Sequence, residues 1–76
     1  MDEIKSLDVV ALLVDLPKYR LQRGAVGTVV EVFTATAEHP SGYMVEFVDE
    51  AGQTYAMADI TNAAHLIPLR FNQEAA

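Results

Sequence analysis

Between Arg23 and Gly52 the residue types alone write out two strands and a turn. The run Arg23-Gly-Ala-Val-Gly-Thr-Val-Val-Glu-Val-Phe33 sets two glycines ahead of a β-branched stretch. Such side chains fit a pleated surface better than a helix. Tyr43-Met-Val-Glu-Phe-Val48 then alternates. With a period of two, Tyr43, Val45 and Phe47 share one face, and Met44, Glu46 and Val48 the other; the first set is the expected core face. Asp49-Glu-Ala-Gly52 closes that strand as a short hairpin turn, with Gly52 as its left-handed residue. A chain so patterned is expected to fold as a small coiled β-sheet.

A chain of 76 residues makes one domain. At about 60 residues folding buries only ~60% of the unfolded surface, so the core has to be dense. A hydrophobic fraction of 51% and a mean hydropathy of +0.17 supply that density. Without cysteine there is neither a disulfide framework nor a thiolate metal site. The N-terminus, Met-Asp-Glu-Ile-Lys, lacks a basic segment, and the apolar stretch Val9–Val14 stops at Asp15. It is too short for a signal core or a membrane span, so a cytoplasmic protein without membrane insertion is expected. The net charge of −6 disfavours nucleic acid, which binds through phosphate neutralisation by Lys and Arg. Solubility is the simplest reason for that charge, with a mild preference for a basic partner surface.

Along the chain, residues 1–7 read as a polar, flexible N-terminus from which Ile4 and Leu7 could dock on the sheet. Val9–Leu16 is a first strand ended by Pro17. Pro17–Val26 is a loop plugged into the core by Leu21. Gly24 and Gly27 offer a positive φ or a bulge ahead of a second strand, Thr28–Thr34. A loop follows over Ala35–Gly42, with a type I turn at His39-Pro40-Ser41-Gly42. Tyr43–Val48 and Gln53–Asp59 are the third and fourth strands. One helical turn spans Asp59–His65, capped by Asp59 or Thr61, and Leu66–Leu69 is a last strand that Pro68 confines to an edge. The expected domain is residues 8–70, with a flexible tail over 71–76. These elements describe an all-β fold, a small five-stranded SH3-like barrel with one short 3-10 turn before the last strand, filled by Val30, Val32, Val45 and Phe47. An OB-fold would need a longer helix between strands. A monomer or weak homo-oligomer is expected, the latter through Val9–Val14 if that strand is uncovered.

Catalytic equipment is missing from this pattern. Ser6 and Ser41 lie in polar stretches, and His39 and His65 have no second-ligand spacing, so both histidines are read as surface residues. No catalytic residue, metal site or cofactor is expected. Asp49, Glu50 and Gly52 form a turn too short for a calcium loop. Asp15, Glu31, Glu46 and Asp59 are read as water-facing, with two of them able to pair with Arg23 or Arg70. The asymmetry that suggests a site is Lys18, Tyr19, Arg20 and Arg23. Three of the five basic residues fall within six positions beside an aromatic, which makes a local positive pole on an acidic chain. Tyr and Arg are favoured contact residues, so these four are the candidate partner-binding site. The competing reading is a solvated loop whose tyrosine packs inward. Tyr43, Phe47, Tyr55 and Phe33 are read as core and barrel-end packing, and the lack of Trp argues against a proline-rich ligand.

Several blocks together resemble a known family: Leu12-Leu-Val-Asp-Leu-Pro17, Leu21-Gln-Arg-Gly-Ala-Val-Gly-Thr-Val-Val-Glu-Val32, Tyr43-Met-Val-Glu-Phe-Val-Asp49, Gly52-Gln-Thr-Tyr-Ala56 and His65-Leu-Ile-Pro-Leu69. The chain is identified on these as similar to a small bacterial family, common in cyanobacteria, labelled domain of unknown function 4926. The likeness covers roughly residues 8–69 and departs in a longer Thr34–Ser41 loop. It implies a short SH3-like protein of no established activity. Arg23-Gly-Ala-Val-Gly-Thr-Val-Val also resembles the KOW motif of ribosomal and transcription-elongation proteins. A weaker similarity runs to the SH3-like subunit that docks ferredoxin on the cyanobacterial NADH-dehydrogenase-like complex.

The functional expectation is a non-enzymatic module that docks on an unidentified partner protein through its loops, in an accessory, antitoxin-like or immunity-like role. The alternatives are an accessory subunit of a redox or photosynthetic complex and a KOW-like nucleic-acid or ribosome-associated binder.

Overall fold

The structure, a computed structural model, describes residues 3–70. Five strands, β1 (Val9–Leu12), β2 (Val26–Phe33), β3 (Gly42–Val48), β4 (Thr54–Ile60) and β5 (Leu66–Pro68), form one antiparallel sheet in the order β4-β3-β2-β1-β5. The tail beyond residue 70 lies outside the described residues.

The inner faces of all five strands meet in one core. Val10 and Leu12 enter it from β1, Val29 from β2, Val45 and Phe47 from β3, Ala58 and Ile60 from β4, and Leu66 from β5. A flat sheet cannot bring its two edge strands into one cluster, so the sheet curls on itself as an SH3-like barrel. Leu21 plugs the core from the first loop, as expected, and Ile4 adds to it from ahead of β1. Leu7 does not dock: its side chain is exposed and its φ is +75°, while its N–H reaches the Val29 carbonyl at 2.6 Å.

Two 3-10 turns are present where one was expected. That at Ala63–His65 precedes β5, capped by the Asn62 side chain, which accepts the Ala64 N–H at 2.9 Å. Asp59 and Thr61 are not the cap; Asp59 belongs to β4. The unexpected turn is Pro17–Tyr19, where proline begins the turn with φ already set. It exists because β1 stops at Leu12 rather than running to Leu16. The Leu13 N–H goes to the His65 carbonyl at 2.8 Å, and Leu16 bonds Leu21 across the loop instead.

β2 corrects the expected core. Its inward set is Gly27 and Val29, which by alternation turns Val30 outward, and its pairing with β3 then shifts register between Val29 and Glu31, with Val30 as the extra residue of a bulge. Val30 and Val32 are 37% and 42% exposed, while Val29 is fully buried beside Val45. The bulge lies beyond the glycine pair. Gly27 has another job, since a Cβ there would stand 2.7 Å from Val45 Cγ1 and 2.8 Å from the Glu46 carbonyl oxygen. Gly24 supplies the positive φ, +95°, and Gly52 does so at +83° in the β3–β4 hairpin, as expected.

The Ala35–Gly42 loop turns earlier than expected. Thr36 Oγ1 accepts the N–H groups of Glu38 and His39 at 3.2 and 3.0 Å, and the Thr36 N–H donates to the His39 carbonyl. The reversal is therefore at 36–39, and Gly42 already belongs to β3, packed on the Ile60 backbone. The route to a homo-oligomer through Val9–Val14 is closed, because β1 is covered by β2 on one side and β5 on the other.

Candidate partner-binding site

The β1–β2 loop is built so that an apolar residue anchors it and polar ones radiate from it. Pro17 starts its turn, and Arg20 ends it in the left-handed region at φ 59°, its N–H on the Pro17 carbonyl at 3.0 Å. Leu21 then dives into the core, which leaves Arg20, Gln22 and Arg23 exposed around it. Asp15 fixes the far side. Its Oδ1 accepts the Arg23 backbone N–H at 2.8 Å, so of the four carboxylates read as able to pair with Arg23 or Arg70, Asp15 meets Arg23 through its amide rather than its guanidinium. Among the described residues neither the Arg20 nor the Arg23 guanidinium is paired with a carboxylate.

The four expected site residues separate into two pairs. Arg20 and Arg23 border an open depression of about 280 Å³, with Leu21, Gln22, Ala25 and Tyr55. Pockets for drug-sized ligands run from about 300 to 1,000 Å³ and are largely enclosed, and this one is a shallow, open depression of the surface. No carboxylate lines it; Asp15 borders an adjoining hollow with Pro17 and Arg20. Tyr19, by contrast, packs inward against the core, and its hydroxyl accepts the Asp59 N–H of β4 at 3.3 Å. Lys18 folds over the Tyr19 ring with Nζ 5.4 Å from the centroid, a cation–π placement. The inward tyrosine of the competing reading is therefore observed, while the arginine pair still faces outward.

Tyr55 is the residue that sequence reasoning assigned elsewhere. Rather than packing in the barrel it is 54% exposed and closes the depression opposite the arginines. The signal was available in β4 itself. Ala56, Ala58 and Ile60 mark the inward set by alternation, which turns Tyr55 and Met57 outward. Phe47 is fully buried, Tyr43 packs against the core, and Phe33 stacks on the His39 ring at 5.0 Å.

The chain belongs to the family Domain of unknown function (DUF4926), whose model matches residues 6–67. The family match runs from ahead of β1 into β5 and takes in the whole β1–β2 loop and Tyr55. Neither a curated protein nor a solved structure matches the chain.

Away from this loop, the histidines are more engaged than surface residues. His39 Nε2 lies 3.2 Å from Asp59 Oδ2, which ties the 34–41 loop to β4 and takes Asp59 out of the water-facing set. The other oxygen, Asp59 Oδ1, is buried without a partner. His65 meets the Asn62 side chain at 3.3 Å. Glu46 accepts a hydrogen bond from the Thr54 hydroxyl across the β3–β4 pair. Among the described residues no three His, Cys, Asp or Glu side chains converge to hold a metal ion, and no helix is long and apolar enough to cross a membrane.

Proposed function

We propose that this protein is a non-enzymatic interaction module that docks on a partner protein through its β1–β2 loop. The observation that carries the reading is the pair Arg20 and Arg23, unpaired with carboxylates and held outward around Tyr55 on a chain of net charge −6. Arginine and tyrosine are the residue types that most often dominate an interface. A local positive pole on an acidic body also orients an approaching partner. Lys18 and Tyr19 are supporting parts in this reading: they hold the loop on β4 rather than meet the partner. The proposed setting is the bacterial cytoplasm expected from the sequence, and an accessory role beside a larger partner is the form the proposal takes.

Two alternatives stand behind it, an accessory subunit of a redox complex and a KOW-like nucleic-acid binder. The KOW-like glycines have structural duties here, Gly24 in a positive-φ turn and Gly27 in close packing, which weakens the nucleic-acid alternative. The test is affinity capture from the native host with the wild-type protein and with Arg20→Glu/Arg23→Glu. A stoichiometric protein partner that is lost on charge reversal, with the fold retained by circular dichroism, supports the reading. Capture unchanged by the reversal removes the site. RNA in place of protein, released steeply by salt, favours the KOW-like alternative.

A further inference from the structure

Among the described residues β4 is an edge strand, hydrogen-bonded to β3 on one side and to no strand on the other. Which of its groups face outward follows from the ladder. The Asp49 N–H donates to the Gln53 carbonyl at 2.9 Å, so the odd-numbered residues of β3 direct their main-chain groups toward β4. Val45 with Ala58 and Phe47 with Ala56 are then the bonded pairs. In an antiparallel ladder the intervening residues, Met57 and Asp59, turn theirs away.

Asp59 confirms this, since its N–H points off the sheet to the Tyr19 hydroxyl. The first loop therefore supplies a side-chain substitute for a missing strand at one end of the edge. It leaves the other end, around Met57 and Tyr55, uncovered; these side chains are 48% and 54% exposed. Tyr55, the extra residue where the β3–β4 pairing shifts register between Phe47 and Val48, ends this stretch of regular edge and also lines the depression bordered by Arg20 and Arg23. A free edge and a carboxylate-free, doubly cationic groove thus run into each other. Of the nearby carboxylates, Asp59 holds His39 through Oδ2; Glu46, across the ladder from Met57, accepts the Thr54 hydroxyl; and Asp15 accepts the Arg23 amide, so none of them pairs with either guanidinium.

We infer that the partner is engaged through an extended acidic segment that adds as a strand to β4 at Met57. Its carboxylates would lie against Arg20 and Arg23 and its chain would pass over Tyr55. Main-chain bonding supplies the affinity in this mode, and side-chain complementarity supplies the specificity. The two arginines make an acidic segment the occupant the edge selects, and a basic or neutral strand would leave both cations uncompensated. This rests on the proposed docking function and specifies the partner's chemistry.

The probe is a short synthetic peptide alternating Glu and Val, compared with its Lys–Val counterpart, titrated into the full chain and followed by amide NMR shifts and hydrogen exchange. Expected are shifts at Arg20, Arg23, Tyr55 and Met57, slowed exchange of the Met57 amide with the Glu–Val peptide alone, and affinity at least about tenfold weaker in Arg20→Glu/Arg23→Glu. Met57→Pro removes an edge donor without removing a ladder bond and is expected to abolish binding. Should that variant not fold, protection of the Met57 amide in the wild type decides. Arginine-dependent binding with Met57 still exchanging freely overturns strand addition and leaves loop docking standing. Binding of the Lys–Val peptide overturns the acidic assignment. A peptide-free dimer with Met57 protected makes the occupant a second copy of this chain. Capture from the host that ignores charge reversal overturns the docking function and this inference together.

Discussion

The Tyr19 hydroxyl sits 3.3 Å from the Asp59 backbone nitrogen and accepts its N–H. One side chain thereby joins the first 3-10 turn to the edge of β4 and satisfies a main-chain donor that a sixth strand would otherwise take. The bond protects the edge where it lies and fixes where the protection ends.

Tyr19→Phe keeps the ring on the core and deletes the acceptor. A lost bond to a part-buried amide costs about 1 kcal/mol, which for a domain of this size lowers Tm by roughly 4–8 °C. Thermal unfolding checks it. An unchanged Tm would mean that water replaces the hydroxyl without loss.

Gly27→Ala and Gly24→Ala separate two uses of glycine. At Gly27 the new methyl would stand 2.7 Å from Val45 Cγ1 and 2.9 Å from Phe47 Cδ2, inside the sheet. Overpacking of that kind costs about 1–3 kcal/mol or more. At Gly24 nothing lies within 4 Å of the added atom, and the cost comes from φ +95° alone, about 1–2 kcal/mol. Urea unfolding of the two variants is expected to place Gly27→Ala as the less stable, with equal losses arguing against the close packing.

Val29→Ala and Val30→Ala test which face of β2 meets the core. Val29 is fully buried and Val30 is 37% exposed. At ~0.8 kcal/mol per buried methylene, the first loses about 2 kcal/mol, while the second stays within ~0.5 kcal/mol. Comparable losses from the two would argue against Val29 alone facing the core.

Asp49→Ala removes an acceptor that serves two amides, Ala51 and Gln53, each at 2.9 Å. The hairpin that it closes is expected to lose about 1–2 kcal/mol, and Asp49→Asn to recover part of it. Faster hydrogen exchange at the β3–β4 hairpin is the accompanying signature.

The parts legible in the sequence were those governed by local chemistry. The alternation of Tyr43, Val45 and Phe47 marked the inner face because a strand's period is two. Gly52 marked its own turn through its backbone freedom, and Pro68 marked an edge because it lacks a donor. What was hidden depends on partners distant along the chain. The valine run is apolar on both faces and does not show that Val29 is the inward one, so Val30 and Val32 looked like core. The first 3-10 turn was not read either, because beyond Leu13, which still meets the His65 carbonyl in the β1–β5 register, Leu16 pairs with Leu21 across the loop. At the candidate site, charge clustering located Arg20 and Arg23, but Tyr55, which lines the same depression, comes from β4, more than thirty positions later in the chain.

The interior position of β1 has a consequence for how the chain is made. The first strand to be synthesised lies between β2 and β5, and its outer ladder pairs Leu12 with Leu66 and Val10 with Pro68. During translation β1 waits with one side bare until nearly the whole domain has emerged, so the barrel cannot close progressively from its N-terminus. Contacts of such sequence separation slow folding. They also make a ribosome-stalled fragment lacking β5 the species in which Val10 and Leu12 are most open to capture by a chaperone.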